Sequence, residues 1–410
     1  MPASASRRKA GLDDIDPGGK RVLLRVDFNV PLTADGSLRD DGRLVAALPT
    51  IHELLGRGAS VIIATHLGRP AGRLDAKLST RPLAVHLEEL LGVPVAWVAD
   101  CVGPAVERKA AALRPGQVLL LENLRFHPGE TENDPEFARQ LAALADIYVD
   151  DAFGSAHRSH ASTEGVTHFL PAVAGRLMAT EIAHLSAILS DPRRPLLAIV
   201  GGSKLSSKLK LVTHLIDRVD AICVGGAMAA TFLKAAAREV GSSLVEDDFL
   251  DRALEVVRQA AARRVDLQLP VDVVVARSPE AGAEEIRVRP VGEIAHEEMI
   301  LDMGPATIRH WESLVRRAGT VVWNGPLGLY EKPLFAVGTQ QMARAVAASA
   351  AVSVTGGGDL QAAICQLNLQ DGFTHVSTGG GATMEFLEGR ELPGVVALDD
   401  APRIAKPAIR

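Results

Sequence analysis

Short apolar runs rich in β-branched residues alternate along the whole chain with longer stretches that have the apolar spacing of amphipathic helices. The runs are almost continuously apolar, as is typical of strands in a sheet covered by helices on both faces. This alternation predicts β-α-β units and therefore parallel sheets with right-handed crossovers. The predicted strands are Val22–Val26, Val61–Thr65, Val118–Leu121 and Ile147–Val149 in the first half, and Leu196–Val200, Ala221–Val224, Val271–Val275, Val321–Trp323, Val352–Thr355 and His375–Ser377 in the second.

The middle of the chain reads as a connector between two such halves. Residues 167–175 lead into a helical run from about Leu177 to Leu189, and a segment with two prolines follows. A chain of 410 residues is also too long for one typical hydrophobic core. We therefore predict an α/β protein with two doubly wound, Rossmann-like parallel-sheet domains, residues 1–175 and 193–391, joined by a helix at 176–192.

Composition narrows the class of protein. Hydrophobic residues make up 47% and charged residues 23%, which is typical of a folded globular chain. The net charge of −6 argues against general nucleic-acid binding. The three cysteines show no disulfide or zinc spacing. No apolar run is long enough to span a membrane and residues 1–11 lack the apolar core of a secretory signal, so we expect a cytoplasmic protein without a membrane partner.

Five of the predicted strands in the second half run directly into glycine clusters. Because parallel strands end at the same edge of a sheet, these turns would gather backbone N–H groups and helix N-termini around one crevice, which is typical of a phosphate site. Any one cluster could equally be a tight turn. None matches the P-loop or the GxGxxG pattern. The clusters are Val200–Lys204, Val224–Met228, Trp323–Gly328, Thr355–Asp359 and Ser377–Ala382.

Four polar side chains beside these turns are candidates for nucleotide binding. Lys204 and Lys208 are four residues apart and would share a face if a helix begins just after the glycines. Asp359 is placed to hold Mg²⁺ through nucleotide phosphates, or alternatively to cap a helix. Glu331 is a candidate ribose acceptor, or alternatively a surface glutamate.

Arginine and histidine, rather than glycine, follow the predicted strands of the first half. The parallel-sheet rule places His66, Arg69, Arg125 and Arg158 at one edge, with Arg43 as a further candidate. Taken singly, each arginine could be a surface residue paired with an acid. Together they would bind a small, highly anionic molecule.

These segments resemble the phosphoglycerate kinase family from about Arg21 to Leu398. The match consists of eight motifs in the family's order and approximate spacing, namely RVDFNVPL, HLGRP, LLENLRFH, DAFGSAHRSHAS, GGSKLSSKLKL, WNGPLGLYE, TGGGD and HVSTGGGA. The resemblance implies a 3-phosphoglycerate domain at 1–175, a hinge helix at 176–192, a nucleotide domain at 193–391, and a C-terminal tail at about 392–410 that packs back on the first domain. It also implies a monomer.

The resemblance also implies a role for each matching position. Substrate binding falls to Asp27, Phe28, Asn29, Arg43, His66, Leu67, Gly68, Arg69, Arg125 and Arg158. Nucleotide binding falls to Gly201, Lys204, Lys208, Gly225, Asn324, Pro326, Glu331, Gly356, Gly357, Gly358 and Asp359, with Asp359 also serving Mg²⁺. The catalytic positions are Arg43, Lys208, Gly357 and Gly380.

The implied reaction is reversible phosphoryl transfer between ATP and the carboxylate of 3-phosphoglycerate, giving 1,3-bisphosphoglycerate and ADP, after hinge closure. The acceptor is already ionised, so no general base is required. Leu360 departs from the family pattern, which usually has a hydroxyl residue there. Three alternatives are a same-fold phosphotransferase for another small carboxylate, a non-catalytic nucleotide-binding homologue, and a nicotinamide-dependent oxidoreductase, which the missing GxGxxG disfavours.

Overall fold

The computed structural model describes residues 8–30, 38 and 41–401. Residues 1–7 and the last part of the predicted tail, 402–410, therefore lie outside the described residues. The chain divides into two compact units, one formed by Met1–Ile182 with Glu391–Arg410 and the other by Ala183–Arg390. No helix in the described ranges is both long enough and apolar enough to cross a membrane.

The first unit is built on a parallel sheet of six described strands. In sequence they are β1 (Arg21–Arg25), β2 (Ser60–Ala64), β3 (Val95–Trp97), β4 (Val118–Leu120), β5 (Ile147–Asp150) and β6 (Ala172–Ala174). Their order in space is β3-β4-β2-β1-β5-β6, and every pairing is parallel. β2 is buried along its whole length because helices cover both faces of the sheet. The doubly wound architecture predicted for this half is confirmed.

Helices of the first unit pack their apolar stripes on this sheet. They are α1 (Gly42–Gly56), α2 (Arg81–Leu91), α3 (Pro104–Ala111), α4 (Pro128–Thr131), α5 (Pro135–Ala142) and the first part of α6 (Arg176–Ser190). Local sequence sets their ends: the Asp134 side chain accepts a hydrogen bond from Phe137 N at the start of α5, and Gly92 ends α2 in the left-handed conformation, with φ of 67°. Leu44, Ile51 and Leu87 contribute to one buried core with the strands.

The second unit contains a second parallel sheet and a smaller antiparallel one. Its strands are β7 (Leu196–Val200), β8 (Ala221–Val224), β9 (Asp266–Gln268), β10 (Asp272–Ala276), β11 (Arg287–Pro290), β12 (Met299–Met303), β13 (Thr320–Asn324), β14 (Val352–Gly356) and β15 (His375–Val376). The parallel sheet has the order β15-β14-β13-β7-β8-β9. Its helices are α7 (Leu209–Ile216), α8 (Met228–Ala235), α9 (Leu250–Arg263), α10 (Pro305–Arg317), α11 (Val337–Ala347), α12 (Gly358–Gln366) and α13 (Gly381–Leu387).

The strand predicted at Val271–Val275 was wrong in its direction. β10 occupies nearly that position, but it pairs antiparallel with β11 and β12 in the order β11-β10-β12. An apolar run indicates that a strand is buried. It does not indicate whether the neighbouring strands are parallel or antiparallel to it. β11 is mostly exposed and carries two arginines, so its sequence has no apolar run to find.

A helix connects the two halves. Residues 172–174, just before it, form β6, the edge strand of the first sheet, which lies within the predicted first domain, 1–175. The predicted helix at about Leu177–Leu189 is present as α6, and the compact units divide within it, between Ile182 and Ala183.

The chain returns to the first unit at its C-terminal end. There α14 (Pro393–Val396) follows Leu392, and Gly394 N donates to the carbonyl oxygen of Ala156. Ala10 N donates to Asp399 O, and Ala172 N donates to the Asp399 carboxylate at 2.8 Å. These bonds attach residues 392–401 to the first sheet.

Candidate active site

The loops that leave the carboxyl edge of the first sheet carry the predicted anion-binding residues. Asp27 and Asn29 follow β1, His66 and Arg69 follow β2, Arg125 follows β4, and Arg158 follows β5. Since all four strands are parallel neighbours, these loops leave the sheet at one edge. This arrangement was expected from the order of strands and residues alone.

His66 lies at the centre of this basic cluster and is only 3% exposed. Burial lowers the pKa of its imidazole well below the usual value, and the charges of Arg25, Arg125, Arg158 and Arg43 lower it further. His66 is therefore neutral at physiological pH, and the positive charge of the cluster comes from its arginines.

Arg125 is buried and only partly paired. Its Nη1 donates to Gly68 O at 2.7 Å, whereas its Nε is buried without a hydrogen-bond partner. Burial lowers the pKa of this guanidinium to about 10, helped by the charges of Arg158 and Arg25. An unpaired buried donor costs free energy unless a ligand supplies the acceptor, so this atom fits an anion.

The remaining predicted residues of this edge frame the cluster. Arg43, at the start of α1, forms an ion pair of 2.8 Å with Asp27. The Asn29 side-chain oxygen accepts from Gly68 N at 2.9 Å, and Gly68 has a φ of 62° with little room for a side chain. Leu67 and Phe28 are buried through their side chains, while Arg69 is exposed and Arg158 is partly buried.

Sequence reasoning missed Arg25, the last residue of β1. Its side chain is fully buried, and Nη2 lies 3.0 Å from His66 Nδ1. The sequence did offer a signal for Arg25. It is a charged residue at the end of an otherwise apolar strand, and such a group needs a buried partner. Sequence reasoning also missed Asn123, which is buried. Its side-chain oxygen accepts from Leu67 N and its side-chain nitrogen donates to Leu67 O.

In the second unit, the five glycine clusters follow β7, β8, β13, β14 and β15, which all belong to the one parallel sheet. Two of the turns lie so close together that only glycine fits. A Cβ on Gly201 would lie 2.1 Å from Pro326 O, and a Cβ on Gly325 would lie 2.4 Å from Gly201 O. The glycines therefore allow the backbones of neighbouring loops to approach each other at the carboxyl edge.

Lys208 lies at this edge and contacts one side chain at the end of β13 and one in α13. Its Nζ donates to Asn324 Oδ1 at 2.5 Å and lies 3.4 Å from Met384 Sδ, and Asn324 Nδ2 in turn donates to Gly356 O at 2.9 Å. Burial lowers the pKa of Lys208, and the carboxylates of Asp359 and Glu388 oppose that shift. The ammonium is thus oriented within a partly desolvated pocket.

The helical pairing expected for Lys204 and Lys208 was wrong. α7 begins at Leu209, so the two lysines lie in the loop before it and share no helix face. Lys204 is exposed, whereas Lys208 is partly buried. The serines of GGSKLSSK explain the difference, since they favour turns and delay the start of the helix.

Asp359 lies in the first turn of α12, with its side chain exposed. The N-cap of that helix is Gly357, with a φ of 103°, so the alternative role of Asp359 as the cap is wrong. No neighbouring atom occupies the space beside Gly358 or Gly380, and Gly380 is the N-cap of α13. The exposed N–H groups of these two helix starts are available to an anion.

Glu331, Pro326 and Gly225 occupy the loops of the same edge. Glu331 is exposed, Pro326 is partly buried, and Gly225 is buried against the Leu327 side chain. The ribose role of the exposed Glu331 carboxylate stays a prediction.

The sequence profile described as phosphoglycerate kinase matches residues 12–390. The chain belongs to the phosphoglycerate kinase family. The phosphoglycerate kinase of Moorella thermoacetica is 53% identical over 392 residues, covering 96% of this chain and 99% of that protein. The phosphoglycerate kinase of Chlorobaculum tepidum is 50% identical over 397 residues, covering 96% and 100%.

Solved structures of the family have the same fold. The phosphoglycerate kinase from Coxiella burnetii superimposes with a TM-score of 0.88 at 43% identity, covering 95% of this chain and 98% of that one. The enzyme from Pyrococcus horikoshii gives a TM-score of 0.82 at 33% identity with the same coverage. This chain is therefore a phosphotransferase with a carboxyl acceptor, as the motifs predicted.

Leu360 is the notable departure from the family pattern, and its side chain is fully buried. It belongs to the core cluster that also contains Trp323, Trp311 and Ile364. The leucine therefore adds apolar packing beneath the start of α12, whereas the neighbouring Asp359 remains exposed.

One group of possible metal ligands among the described residues lies in the loops that follow β3 and β4. Ligand atoms of Asp100, Cys101 and His127 lie within 4.8 Å of one another. Asp100 Oδ1 already accepts from His127 Nε2 and from Cys101 N, both at 2.7 Å, and burial raises the pKa of the Cys101 thiol. These contacts satisfy the group without a metal.

Proposed function

We propose that the first unit binds 3-phosphoglycerate through its basic cluster and that the second unit binds the magnesium nucleotide through its glycine turns. The observation that carries the proposal is that groups suited to anions gather at the carboxyl edge of each parallel sheet, and that they differ in kind between the two sheets. One site presents guanidinium groups, and the other presents backbone N–H groups with a lysine. This division matches a compact anionic acceptor and a polyphosphate donor.

For the acceptor, the proposed ligands are Asp27, Phe28, Asn29, Arg43, His66, Leu67, Gly68, Arg69, Arg125 and Arg158. Arginine suits both ends of 3-phosphoglycerate because its planar fork pairs with carboxylate and with phosphate. The buried Nε of Arg125 supports this assignment, since an anion would supply its missing acceptor.

For the donor, the proposed ligands are Gly201, Lys204, Lys208, Gly225, Asn324, Pro326, Glu331, Gly356, Gly357, Gly358 and Asp359. The exposed Asp359 carboxylate is suited to Mg²⁺, which prefers oxygen ligands and usually bridges protein carboxylate and nucleotide phosphate. The bound ion would neutralise phosphate charge. Lys208 would bring its ammonium to the same phosphates.

The chemistry needs positioning and charge neutralisation rather than a base. The acceptor carboxylate has a pKa near 4 and is ionised at neutral pH. Arg43, Lys208 and the N–H groups at Gly357 and Gly380 are the groups proposed to stabilise negative oxygens during transfer. We further propose that transfer follows closure of the two units about α6, and that the enzyme is a cytoplasmic monomer.

The test is a coupled assay with Mg-ATP and 3-phosphoglycerate, read as NADH loss through glyceraldehyde-3-phosphate dehydrogenase. Arg43→Ala should lower kcat by about a hundredfold or more because it removes a transition-state charge, with little loss of stability. Arg108→Ala, on the exposed face of α3, is the matched control. Equal rates in the two variants would exclude Arg43 from the site. No turnover in the unmodified chain, with Mg-ATP still bound, would indicate a different carboxylate.

A further inference from the structure

Beneath the basic cluster, a chain of buried hydrogen bonds leads from a carboxylate to His66. Ser162 Oγ donates to Glu130 Oε1 at 2.7 Å and accepts from Arg25 Nε at 2.9 Å. Arg25 Nη2 lies 3.0 Å from His66 Nδ1. Glu130 and Arg25 are fully buried, Ser162 is 1% exposed, and all four residues belong to the first unit.

The direction of these bonds is fixed by chemistry. A guanidinium has donors and no acceptor, so His66 Nδ1 must be the acceptor of the bond from Arg25. The proton of a neutral imidazole is then on Nε2, because Nδ1 holds a lone pair. His66 consequently has one ring donor, Nε2–H, available to an anion.

Glu130 fixes Ser162 through two bonds. Its Oε2 accepts from Ser162 N at 3.0 Å while its Oε1 accepts from the hydroxyl. Burial raises the pKa of Glu130, but interactions with His160, Arg25 and Ser162 outweigh it and hold the pKa below its usual value. The ionised carboxylate therefore requires Ser162 to donate its proton towards it, which leaves the hydroxyl lone pairs for Arg25.

We propose that Glu130 and Ser162 are positioning residues that hold Arg25 so that it keeps His66 as the neutral Nε2–H tautomer for hydrogen bonding to the anionic substrate. This inference rests on the proposed substrate site. A wrong tautomer would place a lone pair against the anion, and an Arg25 guanidinium turned away from His66 would allow it. Arg25 Nη1 also donates to Val26 O, so Ser162 fixes the Nε side of the guanidinium. Glu130 and Ser162 act through Arg25 and do not themselves contact the substrate in this scheme.

The charges around His66 include those of Arg25, Arg125, Arg158 and Arg43, and each opposes its protonation. Together with burial they favour the neutral imidazole. The tautomer, rather than the charge, is thus the property that the hydrogen-bonded chain controls.

The test combines a spectroscopic and a kinetic readout on the full chain. In protein labelled with ¹⁵N-histidine, long-range ¹H–¹⁵N correlations should show His66 as the Nε2–H form, unchanged from about pH 5.5 to 8; the signal is assigned by its loss in His66→Gln. Ser162→Ala should produce a mixture of tautomers and raise KM for 3-phosphoglycerate by about tenfold, because it removes the hydroxyl that holds Arg25 Nε, with KM for Mg-ATP unchanged. Ser162→Thr, which keeps the hydroxyl, should restore both.

Ser60→Ala is the control, since Ser60 is also buried but lies at the start of β2, whereas His66 follows the end of that strand. It should alter neither readout. An Nδ1–H tautomer in the unmodified chain, or an unchanged tautomer and KM in Ser162→Ala, would overturn the inference. The tautomer is measured without substrate, so the inference can fail while 3-phosphoglycerate turnover stands, and a lack of turnover would instead refute the proposed function.

Discussion

Replacing Leu360 by alanine tests whether this unusual residue serves the core or the nucleotide. The side chain is fully buried in the cluster beneath α12. Leu→Ala changes at such sites cost roughly 2–5 kcal/mol, from lost burial and the cavity left behind. The second unit contains about 200 residues, for which each kcal/mol lowers Tm by about 2–4 °C. A loss of about 3 kcal/mol should therefore lower the Tm of this unit by about 6–12 °C.

The assay pairs thermal unfolding, followed by circular dichroism, with steady-state kinetics well below Tm. We expect KM for Mg-ATP and kcat to change by less than about threefold, since the neighbouring Asp359 is exposed and Leu360 points into the core. Leu244→Ala is the control, because Leu244 belongs to the same unit and is 52% exposed. Its Tm should stay within about 2 °C of the unmodified protein.

Two results would refute the reasoning about Leu360. A Tm change no larger than that of Leu244→Ala would show that the leucine is not an important core residue. A KM for Mg-ATP raised more than about tenfold, at a temperature where the variant is fully folded, would show that Leu360 affects the nucleotide site directly.

Three further predictions concern the second unit. Lys208→Met should lower kcat by about a hundredfold to a thousandfold without loss of folded protein, because it removes the oriented ammonium and keeps the packing of its stem; a rate near that of the unmodified enzyme would remove Lys208 from the mechanism. Gly201→Ala should fold poorly or lose about 3 kcal/mol or more, because its Cβ would lie 2.1 Å from Pro326 O, whereas Gly358→Ala meets open space and should keep its Tm in thermal unfolding. Burial raises the pKa of Asp302 to about 7. Below that pH the folded unit therefore holds a proton that the unfolded chain has lost. As the pH rises from 6 to 8 the folded unit loses this proton, and the free energy of unfolding should fall by about 1 kcal/mol. Asp302→Asn should abolish this pH dependence in urea titrations while lowering stability, since Gly338 N and Met303 N donate to different carboxyl oxygens and the amide replaces one of these oxygens with an NH2 donor. An unchanged slope would assign the dependence to another group.

The parallel architecture was predictable because a strand that is buried on both faces has an almost continuously apolar sequence. β7 and β8 were predicted at their observed bounds, and β2 to within one residue. The edges of the two candidate sites followed from the same pattern, since parallel strands end at one side of a sheet. Arg125 and Lys208 could thus be placed at their edges without coordinates.

Other features depend on partners that are distant in sequence. The direction of β10 is decided by β11 and β12, and β11 is largely exposed. β6 has only three residues, and its pairing with β5 makes it a strand. The residue at which α7 starts depends on whether the preceding serines form turns or join the helix. The spacing of Lys204 and Lys208 does not show which of these occurs.

Arg25 shows most clearly why a site is harder to predict than a fold. From sequence it is one more charged residue at a strand end. In the structure its fully buried guanidinium joins residues 66 and 162, which are separated by nearly a hundred positions in the chain. A buried charge persists only where its donors are satisfied. The chemistry of a guanidinium shows that Arg25 needs hydrogen-bond acceptors when it is buried. Only the tertiary fold determines that these acceptors are Ser162 and His66. The fold thereby also determines which ring nitrogen of His66 can face an anion.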